Sequence, residues 1–103
     1  MTDHELLKLA AKAAGYAFRK ETSPIGIDLF YVDGHRWNPL TDDGDALRLA
    51  VALRLSFVVM DSHIVIHGFA WPNLVIHEYS GDHYAATRRA IVRAAAEIEK
   101  EMK

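Results

Sequence analysis

The chain has 103 residues, a formal net charge of -2 and no cysteine, which excludes disulfides and thiolate metal centres. Hydrophobic residues make up 50% and charged residues 25%, the balance of a globular chain rather than a disordered or collagenous one, and the length is that of one domain, 1–103, around one core. The near-neutral charge gives no general attraction to nucleic acid or acidic lipid, and no apolar run approaches the ~20 residues that span a bilayer.

The opening, Met1 to Gly15, lacks the basic and apolar regions of a signal peptide, so a cytoplasmic location is expected. Thr2 and Glu5 have the spacing of a capping box, in which hydroxyl and carboxylate satisfy reciprocal backbone amides. Leu6, Leu9, Ala10 and Ala13 follow at helical spacing, and Gly15 stands where a left-handed cap ends a helix.

From Tyr16 the apolar period drops to two, and Glu21-Thr22-Ser23-Pro24 reads as a turn. Ile25 to Val32 is the next strand, with Ile27, Leu29 and Tyr31 on one face. Asp33-Gly34 is a hairpin signal because both tolerate positive φ, and His35 to Trp37 is the short return strand.

A second helix is expected over Thr41 to Leu53, with Thr41 as its cap. Strands follow over Leu55 to Met60, His63 to Gly68 and Leu74 to Tyr79. Asp82 is placed to cap a last helix whose buried stripe is Tyr84, Thr87, Ile91, Ala95, Ile98 and Met102. The order α-β-β-α-β-β-β-α, with short connections and no repeat, predicts a single-domain α+β sandwich of a largely antiparallel sheet with three helices.

Asp42, Asp43 and Asp45 beside Trp37 and Pro39 raise the question of an acidic site. Their spacing fails the EF-hand pattern, since Leu47 stands where the third oxygen ligand belongs. Helix initiation explains the stretch better: Pro39 keeps Asn38 extended, and the carboxylates lie against the positive end of the helix. Trp37 reads as a packing residue.

The segment "WNPLTDDGDALRLAV", Trp37 to Val51, is similar to one found in small phage and prophage proteins of unknown function, the phage ABA sandwich domain family. The resemblance implies an α/β/α sandwich encoded by a phage or prophage in a bacterial host. It supplies no activity and no catalytic residues.

Three of the six histidines lie in "HIVIHGF" and "NLVIHEY". Antiparallel pairing that keeps Ile64, Ile66, Leu74 and Ile76 on one apolar face puts His63, Val65, His67, Val75, His77 and Tyr79 on the other. His63 and His67 are then ~13 Å apart along their strand, too far to share a zinc ion. His67 with His77, as a direct or diagonal cross-strand pair, is the one metal-binding combination, and Glu78 faces away from it. The same face also reads as a half-solvated sheet surface, or as one covered by a helix or by another subunit, and tyrosine is well suited to such a partner surface.

No phosphate loop or nucleophile elbow is present, and Ser62-His63 and Ser80/His83 do not define a triad. Arg88, Arg89 and Arg93 are followed by Glu97, Glu99 and Glu101 and read as a solvated helix face, with Arg93 supporting Glu97 one turn on. These readings predict no cofactor, no resident metal and no catalytic residue. The leading expectation is a non-enzymatic phage or prophage accessory protein that binds another protein or itself. Its rivals are an anti-defence protein that blocks a host immune complex and a small metal-dependent enzyme built on His67 and His77.

Overall fold

The computed structural model of the chain describes residues 1–68, 70–79 and 81–102, and of Pro72 and Asn73 the backbone alone. It is an α+β fold in the expected order, with the two-residue return strand counted as a strand of its own. Helix α1 spans Asp3–Ala13 and begins with the capping box: Thr2 Oγ1 accepts from the Glu5 amide at 3.2 Å and Glu5 Oε2 from the Thr2 amide at 3.2 Å. Gly15 follows at φ 76°, a conformation open to a residue without Cβ.

Strands β1 (Phe18–Thr22), β2 (Asp28–Val32) and β3 (His35–Arg36) form an antiparallel meander. The first turn lies at Ser23 to Gly26, two residues later than the sequence pattern suggested, and Ile25 and Ile27 are exposed outside the strands. Gly26, at φ 85°, supplies the positive backbone angle that closes it, its amide donating a hydrogen bond to the Ser23 carbonyl at 2.9 Å. The Asp33-Gly34 hairpin forms as expected, with φ 51° and 84°.

Helix α2 (Asp43–Ala52) leads into a second antiparallel meander, β4 (Leu55–Val59), β5 (His63–Gly68) and β6 (Trp71–Tyr79), and α3 (His83–Glu101) closes the chain. The strands therefore form two sheets of three, each preceded by a helix. Helix α2 is capped by Asp42, whose Oδ2 accepts from the Asp45 amide at 2.8 Å, and not by Thr41. Thr41 instead lies in the preceding turn, where its amide donates to the Asn38 carbonyl at 3.1 Å.

Helix α3 is the centre of the molecule, touched by α1, α2 and all three strands of the second sheet. That position explains why its buried surface is wider than one stripe: Ala86, Ala90, Val92, Ala94 and Ala96 are buried along with Ile91, Ala95 and Ile98. Alanine at so many contact positions lets neighbouring helices approach closely. Tyr84, in the first turn, and Met102, past the end, are 75% and 57% exposed, so they drop out of the expected stripe. Glu99 is buried among the apolar residues rather than solvated.

The first sheet rests on α1 through an aromatic group in which His4, Phe18 and Phe30 stack and Trp37 meets Phe18 and Tyr16 edge-on. Trp37 is buried, as its reading as a packing residue required. The second sheet rests on α3 through Ile64, Ile66 and Ile76, all buried; burying each such side chain contributes about 1.5–3 kcal/mol. The α/β/α layering implied by the family resemblance would cover both faces of a sheet, whereas helices here lie against one face of each.

Candidate functional site

The acidic stretch is occupied by structural work. Asp42 caps α2; Asp43 Oδ1 accepts from Arg88 Nη1 at 2.7 Å; Asp45 accepts from the Asn38 amide at 3.0 Å and from Arg48 Nη2 at 2.8 Å. Arg88 also donates from Nε to the Leu40 carbonyl at 2.9 Å, so α3 holds the Pro39–Asp43 segment in place. Each carboxylate is thus directed at an amide or guanidinium within the chain and not toward a common centre.

The second sheet carries the face that the sequence singled out. Its register pairs His63 with Tyr79, Val65 with His77 and His67 with Val75, while Ile66 faces Ile76. Ile64, Ile66, Leu74 and Ile76 therefore share the helix side, and His63, Val65, His67, Val75, His77 and Tyr79 share the other, as alternation along a strand requires. Strand β4 extends this open face by Ser56 and Val58, which stand opposite His67 and Val65. Val58, Val75 and Tyr79 are 53%, 45% and 66% exposed, so no element among the described residues covers it.

Within the face the rings are ordered. His63 stacks on His77 with centroids 5.4 Å apart and on Tyr79 at 5.0 Å, the planes within 23° of parallel in both cases. Ser62 Oγ shares a hydrogen bond of 3.0 Å with His63 Nδ1, which fixes the ring that both neighbours stack upon. His67 is diagonal to His77 in the register and stands instead beside a shallow depression of about 530 Å³ with Arg54, Leu55, Ser56 and Gly68. The His67–His77 pair considered for zinc is therefore not the pair whose rings meet. Among the described residues no three histidines, aspartates or glutamates gather within reach of one ion.

Glu78 lies on the helix side, where Arg93 pairs with it; Arg93 also donates to the His77 carbonyl at 3.0 Å. This replaces the expected Arg93–Glu97 pair, and Glu97 pairs with Lys100 at 3.2 Å. Two of the three arginines expected on a solvated face, Arg89 and Arg93, line a cleft of about 720 Å³ between α3, β6 and the start of α1, and the third, Arg88, is turned to the Leu40 carbonyl and Asp43. Leu6, Trp71, Leu74 and Ile98 form its apolar wall. Periodicity alone hid this cleft because its walls come from three separate elements. Its cations are already matched: Arg89 pairs with Asp3 at 3.3 Å and Arg93 with Glu78.

Ser62-His63 is the only member of the two serine-histidine pairs that can be placed, since Ser80 lies outside the described residues. His83 Nε2 meets the Asp61 carbonyl at 3.0 Å, which ties the start of α3 to the β4–β5 turn. No helix of the described chain is long and apolar enough to cross a membrane.

The fold and this face together define a small α+β protein whose second antiparallel sheet has an uncovered face. No family model, curated protein or solved structure matches the chain.

Proposed function

We propose that this is a non-enzymatic binding protein of a phage or prophage, acting in the bacterial cytoplasm by protein–protein contact through the open face of its second sheet. The observation that carries the reading is the composition and exposure of that face, where Val58, Val75 and Tyr79 lie open around the stacked His63 and His77. Exposed apolar groups gathered on one surface suit an interaction site, and aromatic rings with polar tips are favoured in the buried centre of an interface. Stacking holds the rings in place before a partner arrives, which lowers the entropy lost on binding. The phage origin is supported by the similarity of Trp37 to Val51 to the phage segment.

The test is capture of host proteins on immobilised, tag-free chain, with candidate partners then measured as purified proteins. A variant carrying His63→Ala and His77→Ala is expected to keep its circular dichroism spectrum and melting temperature and to bind the partner at least about tenfold more weakly. Binding unaffected by these changes and by Val75→Lys would remove the open face as the binding surface. Tight 1:1 uptake of zinc by the tag-free chain, lost on replacing His67 and His77, would move the reading to a metal-dependent protein.

A further inference from the structure

The two sheets present four outer edges, and three of them carry features that discourage pairing with another strand. β1 bears Arg19, Lys20 and Glu21, and β3 is two residues long. β6 contains Pro72, which has no N–H to offer, and Arg93 occupies the His77 carbonyl. Charges, proline and shortness are the usual means of protecting an edge. β4, with the sequence LSFVV, has none of them, and Phe57, Val58, Val59 and the following Met60 are 39%, 53%, 52% and 47% exposed.

We infer that β4 pairs antiparallel with β4 of a second copy of this chain about a two-fold axis at Phe57, joining two three-stranded sheets into one of six. The hydrogen-bond phase of the strand agrees with this. The Met60 amide donates to the His63 carbonyl at 2.8 Å, and β4 and β5 pair in the same register back to Leu55. Alternation in an antiparallel ladder then turns Ser56 and Val58 toward β5 and points the amides and carbonyls of Leu55, Phe57 and Val59 outward. With Phe57 opposite its own copy, Leu55 faces Val59 and Val59 faces Leu55, so every outward group of the strand meets a partner. The two-fold axis keeps like faces together, with Phe57 beside Phe57 on the helix side and Ser56 beside Val58 on the open side.

The flanking charges select a second copy in this orientation. Arg54 precedes the strand and Asp61 follows it, and neither forms an ion pair among the described residues. Antiparallel self-pairing brings each Arg54 opposite the second copy's Met60, one position from its Asp61 and within reach of the long guanidinium side chain, whereas parallel pairing would set Arg54 against Arg54. Arg54 is moreover held at φ 55°, a conformation in which glycine is the favoured residue. A charged side chain kept at such a position fits a role outside its own fold.

This inference does not depend on the open face being a binding surface, and the two fail separately. The experiment is light scattering of the tag-free full chain after size exclusion over a range of concentrations. The expected mass is twice 11.6 kDa in the hundreds of micromolar, falling toward the monomer on dilution. Arg54→Asp and Asp61→Arg are each expected to weaken association at least about tenfold by setting like charges together, and the double variant to restore it. Val59→Pro removes an outward amide that β5 does not use, and is expected to give a monomer. Should that variant not fold, the charge reversal and its rescue decide alone. A monomer at every concentration, or a dimer indifferent to both charge reversals, overturns the inference. So does a dimer dispersed by the His63 and His77 changes instead, which would assign the contact to the open face.

Discussion

Arg54 shows how one residue can be unfavourable locally and still be informative. It follows Leu53, the cap of α2, and donates its amide to the Val51 carbonyl at 3.2 Å, the arrangement that usually ends a helix with glycine. Arg54→Gly is expected to raise monomer stability by about 1 kcal/mol in urea unfolding, because the left-handed conformation disfavours a side chain, and at the same time to weaken self-association. A variant less stable than the wild type would show that the arginine supports its own fold. Asp42 is the converse case, a residue whose whole contribution is local. Asp42→Ala is expected to lower stability by about 1 kcal/mol through loss of the α2 cap, with Thr41→Ala having a smaller effect. Asp42 is legible in the sequence as helix-end chemistry and Arg54 is not, and which of Thr41 and Asp42 caps is decided only in the structure. The turn from Asn38 holds Thr41 one residue short of the capping position, with the Asn38 carbonyl accepting the Thr41 and Asp42 amides.

At the level of elements, periodicity located all three helices and strands β4 and β5 closely, because alternation and helical spacing report which side chains share a face, whereas β6 begins at Trp71, three residues before the expected Leu74. It did less well where a strand ends in polar residues. The pattern predicts a turn at Glu21 and Thr22, but they pair with Leu29 and Asp28 across the first sheet. The buried side of α3 was also drawn too narrow, since the pattern describes one packing face and α3 has neighbours on several. Arg88 belongs to this level, because it joins α3 to the entry of α2 through the Leu40 carbonyl and Asp43. Its side chain is 18% exposed and Asp43's 72%, so most of its value lies in the half-buried bond to the carbonyl and little in the ion pair. Arg88→Ala is expected to cost about 1–3 kcal/mol, measured by thermal and urea unfolding, and Asp43→Ala well under half as much. Equal losses would show that the ion pair, not the carbonyl bond, holds the segment.

For the whole molecule, the same order of elements, one helix and then a three-stranded meander, occurs twice before α3 closes the core. Each sheet rests on helices by one face, which leaves the other available. In the proposed dimer the two-fold axis runs perpendicular to the joined sheet, so both open faces point the same way and a dimeric partner could be met twice. Variants that prevent β4 pairing are therefore expected to lower apparent affinity for a multivalent partner while leaving one-site affinity unchanged, a difference readable by comparing immobilised and free partner in a binding titration. Equal loss in both formats would place β4 within the partner contact itself.

The residues alone determined the local decisions: the Thr2–Glu5 box, the Asp33-Gly34 hairpin and the placing of His63, His67 and His77 on one side of a sheet. Those depend on backbone chemistry within a few positions and on the two-residue period of a strand. Only the tertiary structure decided that the strands form two sheets, that His63 rather than His67 stacks on His77, and that the acidic stretch is tied to Arg88. These depend on register and on contacts between residues far apart in the chain, which no local period encodes. The uncovered face and the unprotected β4 edge belong to the same class, because exposure is set by where every other element packs.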